Sequence, residues 1–382
     1  MRARSPVGCD RELVAEFSCK LRRIRTLAVF ALMLGCGPSA GPSSSGSAGA
    51  AAPAAYSLTV IDGARITSKQ GDPGFQKATG VVVLHDAPFA AVTLVFDLSS
   101  TCFPFENWKN DRPPVGQNWP ADCDAFDRNL EITLRDPNAA TGAPALELVH
   151  AITPFGGPMH IEQDVTDIFN TITGSQALDI GIPTASDGAG KVSGSNGGWN
   201  VSARLDVSPG GAPRKVLGAI ALFSSTVSSA DGPITAAFVL PSGTTHARIE
   251  YAPTGHGQGT AMDASCIGPA DEFCRRAHVL SIDGNVLSTV TPWRGDCAKG
   301  CTLAQRPSGS GVFQYCQENP CGDPASVRAP RANWCPGSVT PPLVYEPDPL
   351  KQPGAHSFVF DIRSIGQGGS WVVGAKVLAY GD

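Results

Sequence analysis

The chain has 382 residues, a formal net charge of −5 and only 16% charged residues. It has no long basic stripe of the kind that nucleic-acid binding requires, so we expect no nucleic-acid partner. Its 43 glycines and 32 prolines indicate many short strands joined by turns and argue against a helical protein.

The N-terminus has the pattern of an export signal. Basic residues at 20, 22, 23 and 25 precede the apolar run 27–34 (LAVFALML), which ends at Gly35 and Cys36. About eight apolar residues cannot span the roughly 30 Å of a bilayer as a helix. A cysteine directly after Leu34-Gly35 resembles the bacterial lipobox, so we predict a signal region, 1–36, that ends at a lipid-modified Cys36. The alternative is an ordinary cleaved signal with an incidental cysteine.

A tether follows the signal. Residues 37–55 (GPSAGPSSSGSAGAAAPAA) have almost nothing to bury, so we predict a flexible linker. Gly37 is not the aspartate that usually retains lipoproteins in the inner membrane. We therefore expect an exported protein, anchored by lipid to the bacterial cell envelope, at the outer membrane or the cell surface.

The remaining chain, about 325 residues, is long enough for two domains of ordinary size. Its first part, 56–211, is predicted to form eight strands, and alternation with period two is clearest in 129–135 (NLEITLR). These strands are predicted at 56–61, 79–84, 92–98, 129–135, 146–152, 160–165, 178–182 and 199–207. One or two helical turns are predicted at 165–172.

The segment Pro209–Pro213 (PGGAP) is the predicted domain boundary. A second series of strands, in 212–382, is predicted at 216–223, 234–240, 247–251, 278–282, 358–362 and 371–379. Short strands at this spacing indicate a sandwich, barrel or jelly roll. Residues 295–345 are predicted to be a loop that cysteines hold in place.

Nine cysteines follow Cys36, and in an oxidising compartment they favour disulfides over metal sites. They are Cys102, Cys123, Cys266, Cys274, Cys297, Cys301, Cys316, Cys321 and Cys335. Because nine is odd, at least one is left over unless it pairs between chains. The spacings of Cys297 to Cys301 and of Cys316 to Cys321 leave zinc as an alternative, although no histidine stands beside them at ligand spacing.

Two short segments concentrate acids and arginines. Asp127-Arg128 comes just before a predicted strand, and Glu272 lies within the segment 266–274 that two cysteines bound. Each segment is either a functional charge cluster or a surface feature of little energetic weight.

Six motifs in the same order resemble the peptide-N-glycosidase F family. They are Cys123–Arg128 (CDAFDR), Ile152–Phe155 (ITPF), Ile161–Asp167 (IEQDVTD), Gly255–Gly257 (GHG), Asp271–His278 (DEFCRRAH) and Arg331–Gly337 (RANWCPG). The resemblance runs from about residue 80 to the C-terminus. It implies an all-β fold of two adjacent eight-stranded antiparallel jelly rolls, with the active site between them.

The resemblance also implies roles for individual residues. Asp127 and Glu272 match the family's catalytic acids. The residues at matching substrate-binding positions are Arg128, Arg331, Trp334, His256 and Phe273. The implied disulfides are Cys102–Cys123, Cys266–Cys274 and Cys297–Cys335.

The implied reaction is hydrolysis of the amide that joins an N-glycan to asparagine, in N-glycosylated proteins or glycopeptides. A carboxylate can activate water while arginines stabilise the developing oxyanion. We expect no cofactor and no metal, and we expect a monomer.

The sequence departs from the family where a further glutamate and a tryptophan are expected, because Pro183 and Ala185 stand there. Proline supplies no carboxylate, and Asp187 is the nearest acid downstream. Phe273 replaces a tryptophan and loses its N–H donor.

These departures leave two other hypotheses open. The first is a surface lipoprotein of the same fold that binds glycan or protein without cleaving it. The second is a copper-dependent monooxygenase, which would need clustered histidines and methionines. The seven histidines are dispersed along the chain, and only Met159 and Met262 follow the tether.

Overall fold

The computed structural model describes residues 54–84, 88–187, 191–257, 263–308 and 311–382. The predicted signal, Cys36 and the tether up to residue 53 lie outside these ranges, as do His85 and Met262. Among the described residues, no helix combines the length and the apolar character needed to cross a membrane.

The first half of the described chain forms eight strands and one helical turn. The strands are β1 (Tyr56–Thr67), β2 (Lys77–Val83), β3 (Phe89–Ser99), β4 (Asn129–Arg135), β5 (Leu146–Ile152), β6 (Met159–Asp164), β7 (Ser175–Gly181) and β8 (Gly198–Pro209). The turn is α1 (Thr166–Phe169), inside the predicted helical segment.

The second half adds eleven strands and a second short helix. The strands are β9 (Val216–Ser228), β10 (Ile234–Leu240), β11 (His246–Gly257), β12 (His278–Ile282), β13 (Asn285–Val290), β14 (Leu303–Ser308), β15 (Gly311–Cys316), β16 (Ser338–Val339), β17 (Leu343–Tyr345), β18 (Gly354–Ile362) and β19 (Gly369–Tyr380). The helix is α2 (Pro324–Arg328). Single 3-10 turns lie at Phe105–Lys109, Asp271–Phe273, Cys297–Gly300 and Asp348–Lys351.

The strands form two sandwiches, as the all-β prediction expected. One pairs a sheet of order β1-β8-β3-β6 with a sheet of order β16-β5-β4-β7-β2. The second sandwich pairs a sheet of order β10-β18-β12-β13 with a sheet of order β17-β11-β19-β9. The predicted domain boundary after residue 211 falls in the connection between β8 and β9.

Each sandwich encloses its own apolar core because alternate strand residues point inward. Trp199, Phe96 and Ile132 are fully buried in the first core, and Phe358 and Trp371 in the second. Burial of an aromatic or branched aliphatic side chain of this kind stabilises the fold by about 1.5–3 kcal/mol.

Strand β5 departs from the alternating pattern because all seven of its residues are buried. One face contacts the first core, and the other packs toward β9 and β19 of the second sandwich. The polar residues Glu147 and His150 of β5 are therefore enclosed at the junction between the two sandwiches.

The prediction of a continuous loop over 295–345 is wrong. The hairpin β14–β15 occupies its middle, and α2 follows it. The disulfide Cys301–Cys316 joins the base of this hairpin. The backbones of β14 and β15 pair with each other, and the side chain of Arg306 lies over the ring of Phe313 on the opposite strand.

The three disulfides that the resemblance implied are present: Cys102–Cys123, Cys266–Cys274 and Cys297–Cys335. Cys301–Cys316 is a fourth. Cys321 takes part in none of these four bonds. Its sulfur lies within 4.8 Å of the sulfurs of Cys102 and Cys123.

Candidate active site

Asp127 and Arg128 occupy the segment that leads into β4. The disulfide Cys102–Cys123 fixes the start of this segment. The carboxylate of Asp124 is fully buried and accepts hydrogen bonds from Arg128 Nε, with the nearer oxygen at 3.1 Å. The acid that Arg128 pairs with is therefore the buried Asp124 and not its neighbour Asp127, and this pair holds the backbone on both sides of Asp127.

Glu272 comes from the second sandwich, within a short turn that the disulfide Cys266–Cys274 closes. Beneath the turn, Asp271 is buried and forms an ion pair with Arg276. The backbone carbonyl of Glu272 accepts a hydrogen bond from Ala332 N at 2.8 Å. The turn is thus anchored on both sides, and the carboxylate of Glu272 remains 23% exposed.

Arg331 positions the carboxylate of Glu272. Its Nη1 donates to Glu272 Oε1 at 2.6 Å, and its Nη2 donates to the carbonyl of Ser326 at 2.6 Å. The guanidinium also lies over the rings of Phe273, at 4.9 Å, and Trp334, at 4.5 Å. Cation–π contacts of this kind add to the ion pair when the cation is desolvated, and Arg331 is 1% exposed.

The turn around Arg331 needs an unusual backbone. Asn333 has φ of 69°, in the left-handed region that asparagine tolerates better than most residues. Its side chain donates to the carbonyl of Pro253 at 2.8 Å, and Trp334 Nε1 donates to the carbonyl of Gly255 at 2.7 Å. These bonds attach the Arg331 segment to β11.

The two sandwiches enclose one cleft of about 310 Å3. The first sandwich and its loops contribute Asp127, Arg128, Asn129, Ile152 and Pro183 to its lining, and the second contributes His256, Gly257, Glu272 and Trp334. The candidate acids from two separate parts of the chain therefore face the same space.

Of the seven predicted catalytic and substrate-binding residues, five line this cleft. The other two, Arg331 and Phe273, lie behind Glu272 and contact it or its neighbours. Trp334 is only 1% exposed, so it supports His256 and Arg331 rather than offering an open ring face. The sequence reasoning missed Asn129, Ile152 and Gly257 as lining residues, although each stands beside or within a quoted motif.

Burial shifts the pKa values of both acids upward. Desolvation raises the pKa of Asp127 to about 6, against the opposing effect of Arg331. It raises the pKa of Glu272 to about 7, where Arg331 again opposes the shift and the charge of Asp127 adds to it. Raised pKa values near neutrality are characteristic of carboxyl groups that exchange protons in catalysis.

One donor in the cleft has no partner among the described residues. Arg128 Nη2 is buried and makes no hydrogen bond there, whereas Arg128 Nε is bound to Asp124. An enclosed guanidinium N–H beside a cleft is suited to a carbonyl oxygen or an oxyanion of a bound molecule.

Pro183 lines the cleft where the family resemblance places a glutamate. Asp187 does not take over this position, because its carboxylate accepts hydrogen bonds from Val192 N at 2.5 Å and from Asn196 Nδ2 at 3.1 Å. Among the described residues, the cleft lining therefore contains two acids, Asp127 and Glu272.

Two groups of described residues bring metal-ligand atoms within 4.8 Å of one another. In one, Cys102 and Cys123 are already joined as a disulfide. In the other, with Glu131 and Glu147, the Nδ1 atom of His150 is hydrogen-bonded to Glu147 at 2.7 Å. Neither group lines the cleft.

The fold and the cleft define a class: two jelly-roll sandwiches with paired acids and arginines at their junction. Residues 224–375 match the family described as "Peptide-N-glycosidase F, C terminal". The chain thus resembles the peptide-N-glycosidase F family, in sequence over its second sandwich and in fold over both. No curated protein matches the sequence significantly.

Solved structures share this fold. PNGase F, described as a glycosylasparaginase from Flavobacterium meningosepticum, is 19% identical, with 86% of this chain and 96% of that chain covered and a TM-score of 0.59. PNGF-II is 17% identical, with 86% and 66% covered and a TM-score of 0.61. The chain thus spans just under two thirds of PNGF-II.

Proposed function

We propose that this protein is an amidase that hydrolyses the bond between the N-glycan and asparagine in N-glycosylated proteins or glycopeptides. The observation that supports this most directly is the convergence of Asp127 and Glu272, from opposite sandwiches, on one cleft. The fold shared with PNGase F adds to it.

Asp127 serves as the general base in this proposal. With a pKa of about 6 it is largely ionised above neutral pH and can still accept a proton from an attacking water. The water oxygen bonds to the asparagine side-chain carbonyl carbon, and the carbonyl oxygen becomes negatively charged. In this proposal Arg128 Nη2, which is buried and makes no hydrogen bond to the described residues, donates to that oxygen.

Collapse of the tetrahedral intermediate breaks the carbon–nitrogen bond. The electron pair stays with nitrogen, which takes up a proton and leaves as a glycosylamine, and aspartate remains in the peptide. Glu272, held by Arg331 at 2.6 Å, orients the sugar next to this nitrogen. Both sandwiches are needed, because each supplies one of the two acids.

Glycan release tests the proposal. The purified full-length protein is incubated with a denatured N-glycoprotein, and mass spectrometry detects free glycan and the conversion of asparagine to aspartate. We expect release by the native protein and none by Asp127→Ala. The matched control is Asp122→Ala, because Asp122 is an exposed acid of the same segment that does not line the cleft. Equal release by Asp127→Ala and the native protein would contradict the role of Asp127.

The second candidate is a glycan- or protein-binding lipoprotein that does not cleave. Pro183 favours it, since the cleft lacks the carboxylate expected there. Glycan-array binding without conversion of asparagine would support this candidate, and measurable amide hydrolysis would remove it.

We also propose export and lipid attachment at Cys36, which the sequence pattern supports. The full-length protein should partition into detergent in a phase-separation assay of the producing cells, and Cys36→Ala should move it to the aqueous phase. Aqueous partition of the unaltered protein would contradict the anchor.

A further inference from the structure

A row of hydrogen bonds leads from the enclosed strand β5 to the cleft. His150 and Glu147 are 4% and 5% exposed, and His150 Nδ1 lies 2.7 Å from Glu147 Oε1. The other ring nitrogen, His150 Nε2, lies 2.9 Å from Thr254 Oγ1 on β11 of the second sandwich. This row therefore crosses the junction between the sandwiches.

Thr254 continues the row to a residue of the cleft. Its hydroxyl oxygen lies 2.8 Å from His256 Nε2, and Thr254 itself is fully buried. His256 lines the cleft, and its ring stacks on Trp334 at 5.1 Å. Because Nε2 faces Thr254, the remaining ring nitrogen, Nδ1, is the one that can meet a bound molecule.

Two proton arrangements keep the Thr254 hydroxyl proton within the row, where it has an acceptor. A carboxylate only accepts, so Glu147 receives Nδ1–H of His150, and the Thr254 hydroxyl has a single proton. When His150 is neutral, Thr254 donates to His150 Nε2 and accepts from His256 Nε2–H. When His150 is charged, its Nε2–H donates to Thr254, and Thr254 donates to His256 Nε2, so His256 then has its proton on Nδ1.

We propose that His150 is a positioning residue that selects the tautomer of His256 through Thr254, and so decides whether Nδ1 in the cleft donates or accepts a hydrogen bond. The use of this choice in amide hydrolysis rests on the proposed function. The coupling between the two histidines does not.

The charged groups around the row determine which arrangement prevails. Glu147 and Glu131 favour the charged form of His150, whereas burial and Lys376 on β19 oppose it, and the net result is a raised pKa of His150. Burial, with the added effect of His150 and Arg331, lowers the pKa of His256 to about 3. His256 is therefore neutral in both arrangements, and only the position of its proton changes.

Charged His150 prepares His256 as a proton donor to the departing glycosylamine nitrogen. His256 Nδ1–H passes to that nitrogen as the carbon–nitrogen bond breaks. His256 Nε2 takes the Thr254 hydroxyl proton, and Thr254 takes the Nε2 proton of His150. His150 ends neutral and still donates Nδ1–H to Glu147, so one positive charge has moved from the buried pair to the product side.

The coupling is tested by nuclear magnetic resonance on the full-length protein with 15N-labelled histidine. The sequence has seven histidines, and His150→Gln and His256→Gln assign the two signals. In the native protein we expect the His256 tautomer to pass from Nδ1–H to Nε2–H as pH rises, with the midpoint of His150. In Thr254→Val, His150 should titrate while the His256 tautomer stays constant. Thr254→Ser, which keeps the hydroxyl, should restore the coupling.

Two results would overturn the proposal: a constant His256 tautomer through the titration of His150 in the native protein, or an unchanged response in Thr254→Val. Should the valine variant fail to fold, the native protein and Thr254→Ser still give the first of these results. Coupled tautomers in a protein that releases no glycan would overturn the proposed amidase and leave the coupling intact.

Glycan release tests the catalytic use separately. Thr254→Val should lower kcat by about tenfold or more, with KM changed by less than about twofold, and Thr254→Ser should restore kcat. A Thr254→Val enzyme with the native kcat and pH profile would show that the proton does not travel by this row.

Discussion

Arg331 Nη1 and Glu272 Oε1 lie 2.6 Å apart, and this ion pair joins a buried cation to the acid that faces the cleft. Arg331 is 1% exposed and Glu272 23% exposed, so solvent screens the pair only slightly. The pair therefore sets the position of one candidate catalytic group through a residue that does not line the cleft.

Arg331→Met should be strongly destabilising, because it leaves the Glu272 carboxylate without its partner and the Ser326 carbonyl without its donor. Loss of one member of a buried pair costs about 3–5 kcal/mol in the free energy of unfolding. Denaturant unfolding measures this. The control is Arg363→Met, which removes a pair between an exposed arginine and Asp361 and should change the free energy by less than about 0.5 kcal/mol. Similar losses in the two variants would contradict the importance of the buried pair.

Activity should rise with pH across the range in which Asp127 and Glu272 ionise, with pKa values of about 6 and about 7. The general base acts only when ionised, so kcat/KM should increase between about pH 5 and pH 8. Stability should change in the opposite direction. In the unfolded chain these acids ionise at lower pH, and the unfolded chain therefore binds fewer protons than the folded protein in this pH range. The free energy of unfolding thus falls as pH rises through the folded pKa values. A flat activity profile from pH 5 to pH 8 would contradict this assignment.

Asp127→Asn should lower the pKa of Glu272, because the charge of Asp127 is one cause of its raised value. The side-chain carboxyl 13C shift of Glu272 measures this pKa directly, without any need for catalysis. Asp136→Asn, at an exposed turn, should leave it unchanged. An unaltered Glu272 titration in Asp127→Asn would show that the two acids do not interact.

Pro183→Glu should improve glycan release, since it places a carboxylate on the cleft lining. One hydrogen bond to a charged group contributes about 1.5–3 kcal/mol, which corresponds to about 10- to 100-fold in kcat/KM. Ala185→Glu is the matched control, because Ala185 is exposed on the same loop and does not line the cleft. Equal effects of the two substitutions would indicate a general charge effect.

Removal of the disulfide Cys266–Cys274 should affect activity more than stability. Its sequence separation is 8 residues, and loss of such a bond costs about 2.5 kcal/mol in chain entropy. Because it closes the turn of Glu272, the double serine variant should lose most glycan release. The control is the double serine variant of Cys301–Cys316, a separation of 15 residues, which should cost about 3 kcal/mol and leave activity nearly native. Thermal unfolding and glycan-release assays on both variants measure the two effects. A loss of activity that simply followed the loss of stability in both variants would contradict the special role of Cys266–Cys274.

Strands with clean alternation were predictable from the sequence. The bounds of β4, β10 and β12 agree with prediction, because apolar residues at every second position have one stable arrangement in a half-buried sheet. The bounds of β5 also agree, although both of its faces are buried. Strand β13 was missed although its signal was present. Asp283 and Gly284 both have positive φ, at 50° and 79°, as a tight hairpin turn requires.

The hairpin β14–β15 was less accessible to prediction. Its strands contain Pro307 and Arg306, and it depends on the disulfide Cys301–Cys316 and on the stacking of Arg306 over Phe105 at 4.1 Å. These contacts come from distant parts of the chain. The acids of the cleft were found through motifs, whereas Thr254, His150 and Glu147 belong to no motif. Only the packing of β5 against β11 and β19 brings their polar atoms together.

The short strand β16 completes the sheet of the first half with residues from the second half. Ser338 and Val339, from the second half of the chain, pair with Ile152 and Ala151 at the edge of the first half's sheet. A recombination event that carried away residues 56–211 alone would leave that edge open to other strands. We therefore expect the two sandwiches to be inherited as one genetic unit, with insertions accumulating in their loops rather than at the junction.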